Sequence, residues 1–69
     1  MNQREKIIDY IRQFGSITPF EAFRDLGITK LATRISELIR DGYPVEKSFE
    51  TSKNRYGDPV RYMRYSLRA

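Results

Sequence analysis

Residues 17–44, ITPFEAFRDLGITKLATRISELIRDGYP, hold two helix signatures separated by almost nothing, and that spacing constrains the fold more than any other feature of the chain. Thr18 suits an N-cap, Pro19 suits the first helical position, and Glu21 stands three residues after the cap. The pattern predicts a capping box, in which the threonine hydroxyl and the glutamate carboxylate each take an otherwise orphaned backbone N–H. Ala22, Phe23 and Leu26 follow at helical spacing, and Gly27 can supply the left-handed residue that ends a helix. Only Ile28 then precedes Thr29, which reads as the cap of the next helix.

That next helix carries Leu31, Ile35, Leu38 and Ile39 along one narrow apolar stripe. Lys30, Thr33, Ser36, Glu37 and Arg40 fall on or near the opposite side, with Arg34 at the flank, and Gly42 and Pro44 stop the helix. Two short helices joined so briefly must cross steeply, as a helix-turn-helix. The outward face carries cations, which suit phosphates, and hydroxyls, which suit base edges. An amphipathic helix with no binding role shows the same stripe, so the flanking chain has to decide.

Composition narrows the chemistry. The 69 residues are expected to form a single domain, 1–69, and a chain this short buries only roughly 60% of its unfolded surface. It has no cysteine and no histidine, which excludes disulfides and any site built on thiolate or imidazole. Asp9, Glu21, Asp25, Asp41 and Asp58 follow no acid–base or metal-ligand spacing, and the glycines sit at helix ends or turns rather than in a phosphate loop. Neither an enzyme nor a cofactor is expected. The opening MNQREKIIDY is charged, and no apolar run approaches the ~20 residues of a membrane span. A cytoplasmic protein without a membrane partner is therefore expected. The net charge of +4 is unevenly spread: residues 1–42 carry seven Lys/Arg against six Asp/Glu, and residues 43–69 carry six against three. An excess in the C-terminal part makes a polyanion the first partner to consider.

Before the organising stretch, Asn2 and Glu5 can cap a first helix whose inward face is Ile7, Ile8, Ile11 and Phe14 and whose stop is Gly15. This helix reads as a support, with a dimer contact through Tyr10 or an exposed part of the helix as the alternative. Ser16-Ile17 is a short extended piece, placed to pair with a later hairpin. After Pro44 the period changes to alternation, with Val45, Lys47 and Phe49 on one side and Glu46, Ser48 and Glu50 on the other. Residues 52–59, SKNRYGDP, read as a hairpin loop. A second strand follows over residues 60–67, with Met63, Tyr65 and Leu67 on the core side and Arg61 at the outer end of that face. Tyr62 and Arg64 lie on the other face, where they either flank a partner or pair across the hairpin with Ser48 or Glu50.

The order helix, short strand, helix, helix, strand, basic loop, strand resembles the winged helix-turn-helix family over almost the whole chain. The residues that carry the resemblance are Ile17-Thr18, Ala22, Leu26-Gly27-Ile28-Thr29 at the turn, Ile35, Leu38 and Gly42-Tyr43 before the wing, and Tyr65-Ser66-Leu67 at the end. Within that family the chain looks most like the small stand-alone proteins of phages and mobile elements. The resemblance implies an α+β fold: three helices plus a small antiparallel β-hairpin wing, in the order α-β-α-α-β-β. It implies binding to double-stranded DNA, with the third helix in the major groove and the wing on the backbone or minor groove. The role it implies is that of a transcriptional regulator or an excisionase-like architectural factor.

On the third helix, Lys30, Thr33 and Arg34 are the candidate base or phosphate contacts, Thr29 a cap that also leaves backbone N–H groups facing a phosphate, and Arg40 a phosphate contact. Glu37 either accepts from a cytosine or pairs with Arg34 three residues back, and the pairing is favoured. In the wing, Lys53, Asn54, Arg55 and Tyr56 cluster beside Gly57. A hairpin tip needs only turn formers, so two cations, an amide and an aromatic together point to the backbone or minor groove. The rival is a module that docks on a protein partner. Duplex RNA or single strands fit less well, because no row of stacking aromatics is evident. Both a monomer and a weak homodimer fit the pattern.

Overall fold

A computed structural model of the chain describes residues 1–68. The first helix, α1 (Gln3–Phe14), begins where the Asn2 side chain accepts the Glu5 N–H at 2.8 Å and ends at Gly15, whose φ of 91° a residue with a Cβ rarely adopts. The second helix, α2 (Pro19–Glu21), opens on the full capping box. The Thr18 N–H donates to the Glu21 carboxylate at 3.0 Å, and the Glu21 N–H donates to the Thr18 hydroxyl at 3.2 Å. The chain then widens into a π-helical turn over Ala22–Leu26, which Gly27 closes at φ 68°.

The turn after α2 is longer than its sequence suggests. Ile28 is 1% exposed, and its N–H reaches back to the Ala22 carbonyl at 3.0 Å. Holding Ile28 in the core leaves residues 29 and 30 to complete the turn. The third helix, α3 (Leu31–Arg40), therefore starts one residue later than expected. Lys30 occupies the N-cap position without a side-chain cap, and Thr29 is an exposed turn residue rather than the cap.

Strands β1 (Val45–Lys53) and β2 (Pro59–Leu67) pair antiparallel, from Val45 opposite Leu67 out to Lys53 opposite Pro59. The expected loop of residues 52–59 is thus a shorter tip, 54–58. Ile17 makes a single bridge to Tyr65, with N–H···O bonds of 2.8 and 2.9 Å in both directions. That bridge places β2 between Ile17 and β1. The hairpin extends a molecule 39 Å long and little more than 20 Å across.

The core joins Ile7, Ile8, Tyr10 and Ile11 of α1 with Ile17, Ala22, Ile28, Leu31, Ile35, Leu38 and Tyr65; Leu26, Val45, Met63 and Leu67 pack at its edge. Several residues expected inside lie outside. Phe14, in the last turn of α1, passes beyond the elements that could cover it and rests on the Tyr10 ring, with centroids 4.6 Å apart. Phe23 points away from the Ala22–Leu26 face, Ile39 sits at the border of the α3 stripe, and Phe49 lies on the part of the wing that projects past the core. All four phenylalanines are consequently exposed. Tyr10 is buried, which removes it as a dimer contact. No helix among the described residues is long and apolar enough to cross a membrane.

Candidate nucleic-acid interface

Burial of Leu31, Ile35 and Leu38 turns the opposite side of α3 to solvent, so Thr33, Ser36 and Arg40 are exposed together with Thr29 and Lys30 at its start. Arg34 lies at the flank and is partly buried. Its Nη1 donates to both carboxylate oxygens of Glu37 at 2.8 Å, the pairing favoured from sequence. Its Nε is buried with no hydrogen-bond partner among the described residues, a cost of about 1–3 kcal/mol in general terms. Arg4 of α1 completes the group, with Nε 3.9 Å from Glu37 and Nη1 donating to Asp41 at 3.1 Å. Asn2, Gln3, Arg4, Arg34, Glu37 and Arg40 line an open cleft of about 530 Å³ between the start of α1 and the exposed side of α3.

In the wing tip, Asn54 shapes the turn. Its side-chain oxygen accepts the N–H groups of Tyr56 at 2.9 Å and Asp58 at 3.0 Å, and its backbone exchanges bonds with Asp58 and Gly57. This leaves the Asn54 amide nitrogen as its outward donor. Gly57, at φ 82°, lets the chain reverse. Lys53 and Arg55 are exposed without a carboxylate partner among the described residues, and the Tyr56 ring is 85% exposed. Sequence reasoning passed over one further cation here. Arg61 lies 4.6 Å from the centre of the Phe49 ring, on the same side of the hairpin as Met63 and Tyr65 but beyond the core. A cation held over an aromatic face loses little freedom when it meets an anion. The signal available in the sequence was an Arg and a Phe at positions that only the register brings to one face.

The base of the wing is fixed to α2. Arg64 pairs with Glu50 across the hairpin, donates to Ser16 at 2.8 Å and lies 3.7 Å from Glu21. Arg64 thus takes the cross-strand role. At the far side of α2, Asp25 accepts from the buried Tyr10 at 2.6 Å and from Arg24 at 2.7 and 2.9 Å. Those bonds, the Arg24 guanidinium first and the Tyr10 hydroxyl second, hold the Asp25 carboxyl down to about 2.

Most of the unpaired cations among the described residues lie on α3 and the wing, with Lys6 and Arg12 of α1 as the others. Glu21, Asp25, Glu37, Asp41, Glu46 and Glu50 are all engaged by arginines. Lys30, Arg40, Lys47, Lys53, Arg55 and Arg61 form no ion pair among the described residues, and all of them lie on α3 or the wing. A surface of this kind offers cations to a phosphate backbone, beside an uncapped helix start and a row of hydroxyls.

No curated protein and no solved structure matches the chain. A family model described as a winged helix-turn-helix domain matches residues 2–69. Such families are typically DNA-binding and non-enzymatic, and three helices followed by a two-stranded antiparallel wing are their α+β architecture. The chain belongs to the winged helix-turn-helix domain family.

Proposed function

We propose that the chain binds double-stranded DNA with sequence preference, as a transcriptional regulator or an excisionase-like architectural factor of a phage or mobile element acting in the cytoplasm. Helix α3 enters the major groove, where Thr33 and Arg34 read bases and Thr29, Lys30 and Arg40 hold phosphates. Lys53, Asn54, Arg55 and Tyr56 lie along the backbone or minor groove. The observation that carries this reading is the concentration of unpaired cations on α3 and the wing. Among the described residues, Lys30, Arg40, Lys47, Lys53, Arg55 and Arg61 stand free there, while Lys6 and Arg12 are the unpaired cations of α1. A titration of random duplex against single-stranded DNA at two salt concentrations tests it. Duplex binding that is tighter and falls steeply with salt supports it. Equal, salt-insensitive binding to both counts against it.

One observation favours a second reading, docking on a protein. Phe20 on α2 and Phe23 in the π-helical turn after it are 69% and 56% exposed, and Phe20 lines an apolar groove with Val60 and Tyr62 of β2. Exposed aromatics beside an apolar groove are a common mark of a protein-binding surface. Replacing Phe20 and Phe23 with Ser leaves duplex binding unchanged under the first reading, and removes the partner under the second.

A further inference from the structure

The cleft between α1 and α3 holds three guanidinium groups and one carboxylate. Glu37 sits among them as an anion would. It receives Arg34 on both of its oxygens and lies within 4 Å of Arg4, while Arg40 lines the same cleft with no ion pair of its own among the described residues. We propose that this cleft takes a backbone phosphate of the bound duplex, with Arg4 and Arg40 as its two cationic walls and Glu37 as the internal anion that the phosphate displaces.

The inference rests on the DNA-binding reading and extends it to a helix that the reading does not use. Three features support it. The cleft opens beside the exposed face of α3, so a phosphate flanking a groove-bound α3 has a site within reach. Both walls are arginines, whose planar forks suit a phosphate better than a lysine does. Arg4 is only loosely engaged within the cleft, because its Nε lies 3.9 Å from Glu37 and its side chain is 40% exposed. An exposed pair contributes little and yields to a phosphate that brings its own full negative charge. Asp41 holds Arg4 from outside the cleft, so Arg4 keeps its Nη2 edge for the phosphate.

Glu37 then acts as a brake, and its removal strengthens binding. The experiment is a duplex titration over a range of salt concentrations, with circular dichroism confirming that each variant is folded. Glu37→Gln tightens binding to random duplex by about three- to fivefold, the range set by one surface ion pair. Asp9→Asn removes the same charge from the outer face of α1 and serves as its control. Arg4→Ala loses about 0.9 from the slope of log affinity against log salt, Arg4→Lys restores most of that slope, and Arg12→Ala, a cation on the same helix with no ion pair among the described residues, is the control. If Glu37→Gln matches Asp9→Asn and Arg4→Ala matches Arg12→Ala, the cleft is only a brace between helices and the inference is overturned. If the wild type shows no duplex binding, the DNA reading itself fails and the cleft fails with it. If the wild type binds and only the cleft variants behave like their controls, the DNA reading stands alone.

Discussion

The Tyr10 hydroxyl donates to Asp25 Oδ2 at 2.6 Å, fastening the middle of α1 to the π-helical turn that precedes the helix-turn-helix corner. Arg24 holds the other side of the same carboxylate. The corner is therefore anchored by a charged hydrogen bond as well as by burial of Ile28.

This anchor is pH-dependent. The Asp25 carboxyl is held at about 2 in the folded chain against an ordinary value of 3.8. A depressed carboxyl stabilises the fold above its unfolded value and loses that contribution as pH falls towards the folded one. The melting-temperature advantage of the wild type over Asp25→Asn is thus expected to be constant above about pH 5 and to vanish towards about pH 2. An advantage that does not change over that window would mean that the carboxylate contributes nothing. Tyr10→Phe keeps the buried ring and removes the hydroxyl, so it is expected to lower stability by about 1.5–3 kcal/mol at neutral pH.

Leu38 is 2% exposed in the centre of the α3 stripe. Leu38→Ala is expected to cost about 2–5 kcal/mol through lost burial and the cavity left behind. That is a large share of the stability of a domain this small. A denaturant melt showing a loss below about 1 kcal/mol would mean that the cavity collapses freely.

What the sequence discloses about this fold depends on how local each determinant is. The Thr18–Glu21 capping box, the stops at Gly15 and Gly27 and the Met63/Tyr65/Leu67 face are legible because each is set by neighbours a few residues away. Periodicity assigns a face but not a depth. Phe14 and Phe49 sit on the correct faces and are still exposed, because the elements carrying them extend past a small core. Helix α3 starts one residue later than the spacing suggests, because the bond from Ile28 to Ala22 follows from a widened turn that residue spacing does not announce. The Arg34–Glu37 pair is a local pattern and could be read. The contact between Arg4 and Asp41 joins residues 37 positions apart, so the α1 side of the cleft left no local trace.

For the wing, Lys53 and Arg55 are expected to contribute affinity without sequence preference, because a hairpin tip meets the backbone or the degenerate minor groove. Replacing both with Ala weakens binding to all duplexes alike and flattens the salt slope by about 1–2. Arg61→Ala is expected to flatten it by a further ~0.9 if the Phe49-held cation meets a phosphate. Slopes identical to wild type would separate the wing from the DNA.

The central claim is that the exposed side of α3 reads bases, and a selection from randomised duplexes tests it most directly, run for the wild type and for Thr33→Ala, Arg34→Ala and Lys30→Ala. The wild type is expected to enrich a defined motif. Arg34→Ala is expected to lose about 1–3 kcal/mol on that motif and far less on random DNA, Thr33→Ala to relax the motif at a neighbouring position, and Lys30→Ala to weaken both classes of DNA by similar factors. Enrichment of no motif by the wild type, or a motif that survives intact in Arg34→Ala and Thr33→Ala, would contradict the assignment of this face as the reading surface.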